Sequence, residues 1–98
     1  SACAIEMANP VFEKNAMIVA YPNPFNNQSR IEFKTEGGHT LVQLLDATGT
    51  VIKLLVDATY SYAGMNSVTI HGKELISGVY YIRIQNGIHQ HVKSIMKI

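Results

Sequence analysis

The chain has 98 residues, of which 47% are hydrophobic and only 15% are charged, so it can build the core of one small domain. Eight Lys and Arg residues against seven Asp and Glu residues give a formal net charge of +1, and the lysines form no run. Nucleic-acid binding needs a clustered basic face, so this balance argues against nucleic acid as a partner.

The chain divides near residue 16. Residues 1–16 show no clean hydrophobic period and are interrupted by Pro10, so we interpret them as a linker or the tail of an upstream cargo region. They contain Cys3, the only cysteine, which cannot form a disulfide within this chain. In residues 17–98, short apolar runs alternate with turn residues at spacings of about ten, a pattern typical of a β-sandwich or barrel.

The first two apolar runs lie on either side of a proline corner. Residues 17–21 are closed by Pro22-Asn23-Pro24. Proline fixes its own φ near −65° and favours an extended residue before it, so we predict a stiff corner followed by Phe25 as an apolar anchor. Residues 29–34 alternate strictly and predict a half-buried strand.

Turn residues separate the remaining strands. The segment from Asp46 to Gly49 suits a type I turn between strands at residues 39–45 and 50–59. A fifth strand at residues 66–71 follows Ala63-Gly64, and a sixth is predicted at residues 79–85. Asn86-Gly87 is a strong hairpin signal that leads into a seventh strand, residues 88–98. The fold class predicted is all-β, an immunoglobulin-like antiparallel sandwich of about seven strands.

No complete catalytic or metal-binding set emerges from the pattern. His89 and His91 share one strand face, but zinc needs three or four ligands. His39 and His71 could in principle join them, but nothing in the spacing requires it. The carboxylates lie in separate segments, and no Gly-x-Ser-x-Gly elbow is present. We therefore expect no cofactor, no metal and no enzyme activity. A carbohydrate-binding platform or a passive spacer is the alternative function, the former suggested by the neighbouring Tyr60 and Tyr62.

The last strand has two interpretations. It is apolar and reaches Ile98, whereas chain ends normally fray unless they are tied into a sheet. The alternation of charged and apolar residues from Lys93 to Lys97 suits either protection of an edge strand or a docking strip for a receptor. The pattern leaves both open.

Five segments, in this order, resemble the type A C-terminal sorting domains of the type IX (Por) secretion system. They are Tyr21-Pro22-Asn23-Pro24-Phe25-Asn26, the hairpin from Leu44 to Val51, the turn Ala63-Gly64-Met65-Asn66, the segment from Leu75 to Arg83, and the closing stretch from Lys93 to Lys97. The resemblance covers residues 17–98.

The resemblance implies a secretion signal fused to the C-terminal side of a cargo protein, in the Bacteroidetes lineage. The cargo would cross the periplasm and reach the outer membrane, the cell surface or the medium. The implied partners are the type IX translocon with its outer-membrane shuttle protein, and a cysteine-type sortase that cleaves within residues 1–16. A strand-swapped homodimer is a further expectation for the isolated domain.

The resemblance also assigns residues. The candidates for recognition by the translocon are Lys93, Ile95, Met96, Lys97 and Ile98. The motif residues expected to be structural are Tyr21, Pro22, Asn23, Pro24, Asp46, Gly49, Gly64, Asn66, Gly78 and Tyr80.

Overall fold

The computed structural model describes residues 18–98, so the linker assigned to residues 1–16 and Cys3 lie outside the described residues. The described chain forms seven strands and one short 3₁₀ turn, Gly72–Glu74. The strands are β1 (Ile18–Tyr21), β2 (Gln28–Thr35), β3 (Gly38–Leu45), β4 (Val51–Tyr60), β5 (Gly64–His71), β6 (Gly78–Asn86) and β7 (His89–Lys97). Within residues 18–98 there is no helix long and apolar enough to cross a membrane.

The strands form two antiparallel sheets that pack face to face. The smaller sheet has the order β1-β2-β5, and the larger has the order β4-β3-β6-β7. β2 and β3 follow each other in the chain but belong to different sheets, as do β4 and β5. This arrangement confirms the predicted seven-stranded antiparallel sandwich. It places β4 and β7 at the two edges of the larger sheet.

The core lies between the sheets and is built from alternate residues of each strand. On β2, Ile31 and Phe33 are almost completely buried, as their alternation with charged neighbours predicts. Across the sandwich they face the inner residues of β3 and β6: Val42, Leu44, Tyr80, Ile82 and Ile84. Burying one such side chain contributes about 1.5–3 kcal/mol, so this layer supplies most of the driving force for folding.

Candidate functional site

β7 is fully built into the larger sheet. It pairs with β6 along its whole length, from Asn86↔His89 to Gly78↔Lys97. Opposite Tyr80, Ile95 is only 2% exposed and belongs to the core. Since side chains alternate across a strand, Ser94 and Met96 lie on the outer face. A partner therefore has no access to the Ile95 side chain, and we leave it out of the recognition surface proposed below.

The other four candidate recognition residues remain accessible to different degrees. Met96 is 44% exposed and Ile98 is 59% exposed, large fractions for apolar side chains. Lys93 is exposed, whereas Lys97 is half-buried because its side chain lies against Gly72. Met96 pairs across the strands with Val79, which is also exposed on the outer face. The end of β7 thus presents apolar side chains to solvent.

The proline corner contacts the larger sheet between two strands of the smaller one. β1 pairs with β2 in the smaller sheet, and four residues later Phe25 forms a parallel bridge with Lys97 in the larger one. Both the Tyr21–Pro22 and the Asn23–Pro24 peptide bonds are cis, which the sequence pattern did not indicate. Phe25 is 1% exposed and fills the core at this crossing, in keeping with its predicted role as an anchor.

Hydrogen bonds from the corner cover the C-terminal end of the outer edge of β7. The Phe25 amide donates to the Met96 carbonyl at 2.9 Å, and the Ile98 amide donates to the Phe25 carbonyl at 2.9 Å. The Asn23 side chain adds two bonds: its Oδ1 accepts from the Met96 amide at 3.0 Å, and its Nδ2 donates to the Ser94 carbonyl at 3.4 Å. The opening and closing motifs, more than 70 residues apart in sequence, are therefore one structural unit.

Polar contacts also hold the entry to the corner. The hydroxyl of buried Ser29 donates to the Pro22 carbonyl at 3.0 Å. The Tyr21 hydroxyl donates to the Glu32 carboxylate at 2.6 Å, and Arg30 Nε lies 3.2 Å from the same carboxylate. The hydrogen bond from Tyr21 and the contact with Arg30 lower the pKa of Glu32, and the bond to Glu32 raises the pKa of Tyr21.

Gly72 packs closely against the chain that follows the corner. Gly72 is buried, and its amide donates to the Asn27 carbonyl at 2.8 Å. A Cβ atom added at Gly72 would collide with the Asn26 carbonyl and would lie 2.8 Å from Cε of Lys97. Only glycine fits between these groups. Gly72 carries no signal in the sequence for this role, because nothing in the local pattern indicates the approach of distant chain segments.

The turn between β3 and β4 is organised by Asp46. Its Oδ1 accepts hydrogen bonds from the Thr48 hydroxyl at 2.6 Å and from the Thr48 and Thr50 amides at 3.0 Å each. These bonds, the Thr48 hydroxyl first, lower the pKa of Asp46. The Gly49 amide donates to the Asp46 carbonyl at 2.9 Å, and Gly49 has φ of 90°. The geometry is that of the expected turn, with glycine where φ is positive.

The remaining motif residues occupy the ends of strands. Gly64 begins β5 opposite Thr35, and Asn66 lies opposite Phe33. Gly78 begins β6 opposite Lys97. Tyr80 is buried, and its hydroxyl donates to the carbonyl of Ile76 at 2.7 Å. Of these, Tyr80 has a clear anchoring contact, since it ties the loop before β6 to the core.

Asn86 contributes more than the turn signal indicated. It ends β6, so the loop residues are Gly87 and Ile88, one position later than the pattern suggested. Its Nδ2 lies within hydrogen-bond distance of the carbonyls of Gly37 and His39 and of the Thr40 hydroxyl, at 2.9–3.1 Å. Asn86 therefore closes the end of the sandwich opposite the corner.

The histidines considered for metal binding lie on three different strands. The exposed side chains of His39 on β3 and Asp57 on β4 lie 2.6 Å apart, whereas His71 ends β5 and His89 and His91 lie on β7. In the part of the chain that the structure describes, no three His, Asp or Glu side chains are grouped so as to hold a metal ion. Tyr62 is 83% exposed, and the carbohydrate platform stays a prediction.

The comparison with protein families identifies the family of the chain. The family model described as "Secretion system C-terminal sorting domain" matches residues 19–98. The chain belongs to this family. The match extends from β1 to the end of the chain, so it includes the corner, the Asp46 turn and β7.

The sorting domain is therefore a C-terminal signal for type IX secretion, from a family of sorting signals and not of enzymes. Membership implies fusion to a cargo and export to the outer membrane, the cell surface or the medium. No curated protein matches the chain.

Proposed function

We propose that the type IX translocon and its outer-membrane shuttle protein recognise the sorting domain through the exposed end of β7. The proposed surface comprises Lys93, Met96, Lys97 and Ile98, with Val79 beside Met96. A cysteine-type sortase then cleaves within residues 1–16, after transit through the periplasm, and frees the cargo at the cell surface or into the medium.

The observation that carries the proposal is that the end of β7 is held rigidly while its apolar side chains face solvent. The Phe25 and Asn23 bonds fix the backbone of Met96, so the direction in which its side chain leaves the strand is set before any partner binds. Contiguous patches of exposed apolar side chains often mark interaction sites, and preorganisation lowers the entropic cost of binding.

An export assay tests the proposal. A reporter with an N-terminal signal for the periplasm is fused before the 98-residue chain in a type IX-competent bacterium, and the reporter is measured in the periplasm, on the surface and in the medium. Deleting the last residues is a poor test, because it would also remove Ile95 from the core. Substitution of exposed residues is sharper.

Met96→Asp and Met65→Asp form a matched pair. Both methionines are exposed strand residues, at 44% and 60%, but Met65 lies on β5 in the other sheet. We expect Met96→Asp to retain the reporter in the periplasm and Met65→Asp to export it normally. Equal export of both folded variants would exclude the end of β7 as the recognition surface. The sortase step is tested by mass spectrometry of the exported reporter, which should lack residues 17–98.

A further inference from the structure

Within residues 18–98, the outer edge of β7 is covered at one end and open at the other. Asn23 and Phe25 take up the outward backbone groups of Met96 and the amide of Ile98, and Asn23 also contacts the Ser94 carbonyl. In an antiparallel ladder, outward and inward pairs alternate along the strand. The backbone groups of Gln90 and Val92 and the amide of Ser94 therefore also point outward, beyond the reach of the corner.

β1 does not cover this open part with a ladder. It lies beside β7 at the side of the sandwich, yet its register pairs it only with β2. The open stretch from Gln90 to Ser94 consists of exposed residues. Unpaired edge groups of this kind are a template for an added strand.

The side chains around the open edge favour an acidic occupant. The whole segment from Gly78 to Ile98 contains no Asp or Glu, while it carries three Arg and Lys residues and two His residues. On β7, alternation from buried Ile95 puts His89, His91 and Lys93 on one face, all exposed. A partner strand with a carboxylate at every second residue would meet these side chains in register.

We propose that the edge from Gln90 to Ser94 binds an extended acidic segment of a partner protein by strand addition. The backbone bonds supply the affinity, and the alternating carboxylates against His89, His91 and Lys93 select the sequence. The inference deepens the proposed function, because it names the chemistry that a recognition partner brings to β7. It does not depend on export for its test.

The test uses the full 98-residue chain labelled with ¹⁵N. The probe is a short peptide in which Glu alternates with Val, and the control is the same peptide with Lys in place of Glu. We expect the Glu peptide to bind and to slow hydrogen exchange at the amides of Gln90, Val92 and Ser94, and the Lys peptide to bind at least about tenfold more weakly. Binding should weaken as salt rises.

Two variants of Val92 separate the contribution of its backbone amide to binding from that of its side chain. Val92→Pro removes an outward amide without touching the β6 ladder, and proline is tolerated where a strand amide faces solvent. Val92→Thr keeps the amide. We expect Val92→Pro to lose about tenfold or more in affinity and Val92→Thr to stay close to the wild type. Normal binding of the Glu peptide to folded Val92→Pro would overturn the proposal.

Charge is tested by a second pair. Lys93→Glu should lower the affinity for the Glu peptide about fivefold. Lys34 is an exposed lysine on β2 in the other sheet, so Lys34→Glu should leave the affinity unchanged. Equal effects of the two variants on peptide binding would overturn the assignment of the Glu peptide to the edge of β7. Slow exchange of the Val92 amide in the free chain would show that the chain itself occupies the edge, and would overturn it as well.

The measurements distinguish this inference from the proposed function. If the Glu peptide binds but Val92→Pro is exported normally, the edge binds acidic strands and is not needed for sorting. If Val92→Pro blocks export but no peptide protects the edge amides, β7 functions in sorting and the acidic occupant is wrong.

Discussion

Replacing Asn23 by alanine removes the side chain that joins the corner to β7. The variant loses one well-formed bond, to the Met96 amide at 3.0 Å, and one long bond, to the Ser94 carbonyl at 3.4 Å. A typical hydrogen bond contributes about 0.5–1.5 kcal/mol to stability. Asn23 is exposed, so water compensates for part of the hydrogen bonding that the variant loses. We therefore expect a loss of about 1 kcal/mol in the free energy of unfolding. For a domain of this size that lowers Tm by about 4–8 °C.

The assay combines thermal unfolding, followed by circular dichroism, with hydrogen exchange. Asn26→Ala is the matched control, since Asn26 is exposed and donates no side-chain bond within residues 18–98. In Asn23→Ala the Met96 amide should exchange faster, while the Ile98 amide stays protected by the Phe25 carbonyl. If the Met96 amide of Asn23→Ala exchanges at the wild-type rate and the variant has the same Tm as Asn26→Ala, Asn23 does not join the corner to β7.

Three further substitutions test the core, the close approach and the turn. Phe25→Ala should cost about 3–5 kcal/mol in urea unfolding, because the side chain is 1% exposed; a loss below about 1 kcal/mol would contradict its role as an anchor. Gly72→Ala should cost about 1–3 kcal/mol, whereas Gly64→Ala, which meets open space, should change stability by less than about 0.5 kcal/mol; equal effects would refute the steric argument. The pKa of Asp46 is lowered in the folded chain, so its carboxylate stabilises the fold fully above the ordinary Asp pKa of about 3.9. This stability is lost as pH falls through the lower folded pKa. On acidification, Tm of the wild type should therefore fall more steeply than Tm of Asp46→Asn. A constant difference in Tm across that range would contradict this assignment.

Local pattern was enough to predict most of the strands. The alternation around Ile31 and Phe33 predicts a half-buried strand, and the structure places it as β2. The Asp46 turn and the strands that flank it follow from residues close in sequence, since a type I turn needs only its own four positions. The predicted bounds differ from the observed ones by a residue or two.

Long-range contacts could not be predicted in the same way. The bonds of Asn23 to Ser94 and Met96 join residues more than 70 positions apart, and no periodicity encodes them. The inward direction of Ile95 depends on the register of β7 against β6, and a shift by one residue would have exposed it. The family motif indicated that the corner and the last strand matter, but only the fold shows that they touch.

Export by the type IX system is the function assigned to this domain. The most direct measurement fractionates a reporter fused before the 98-residue chain in two strains, one with a functional type IX translocon and one without. We predict that the reporter reaches the surface or the medium only in the first strain and stays in the periplasm of the second. Retention of a folded, intact fusion in the periplasm of both strains would contradict the account.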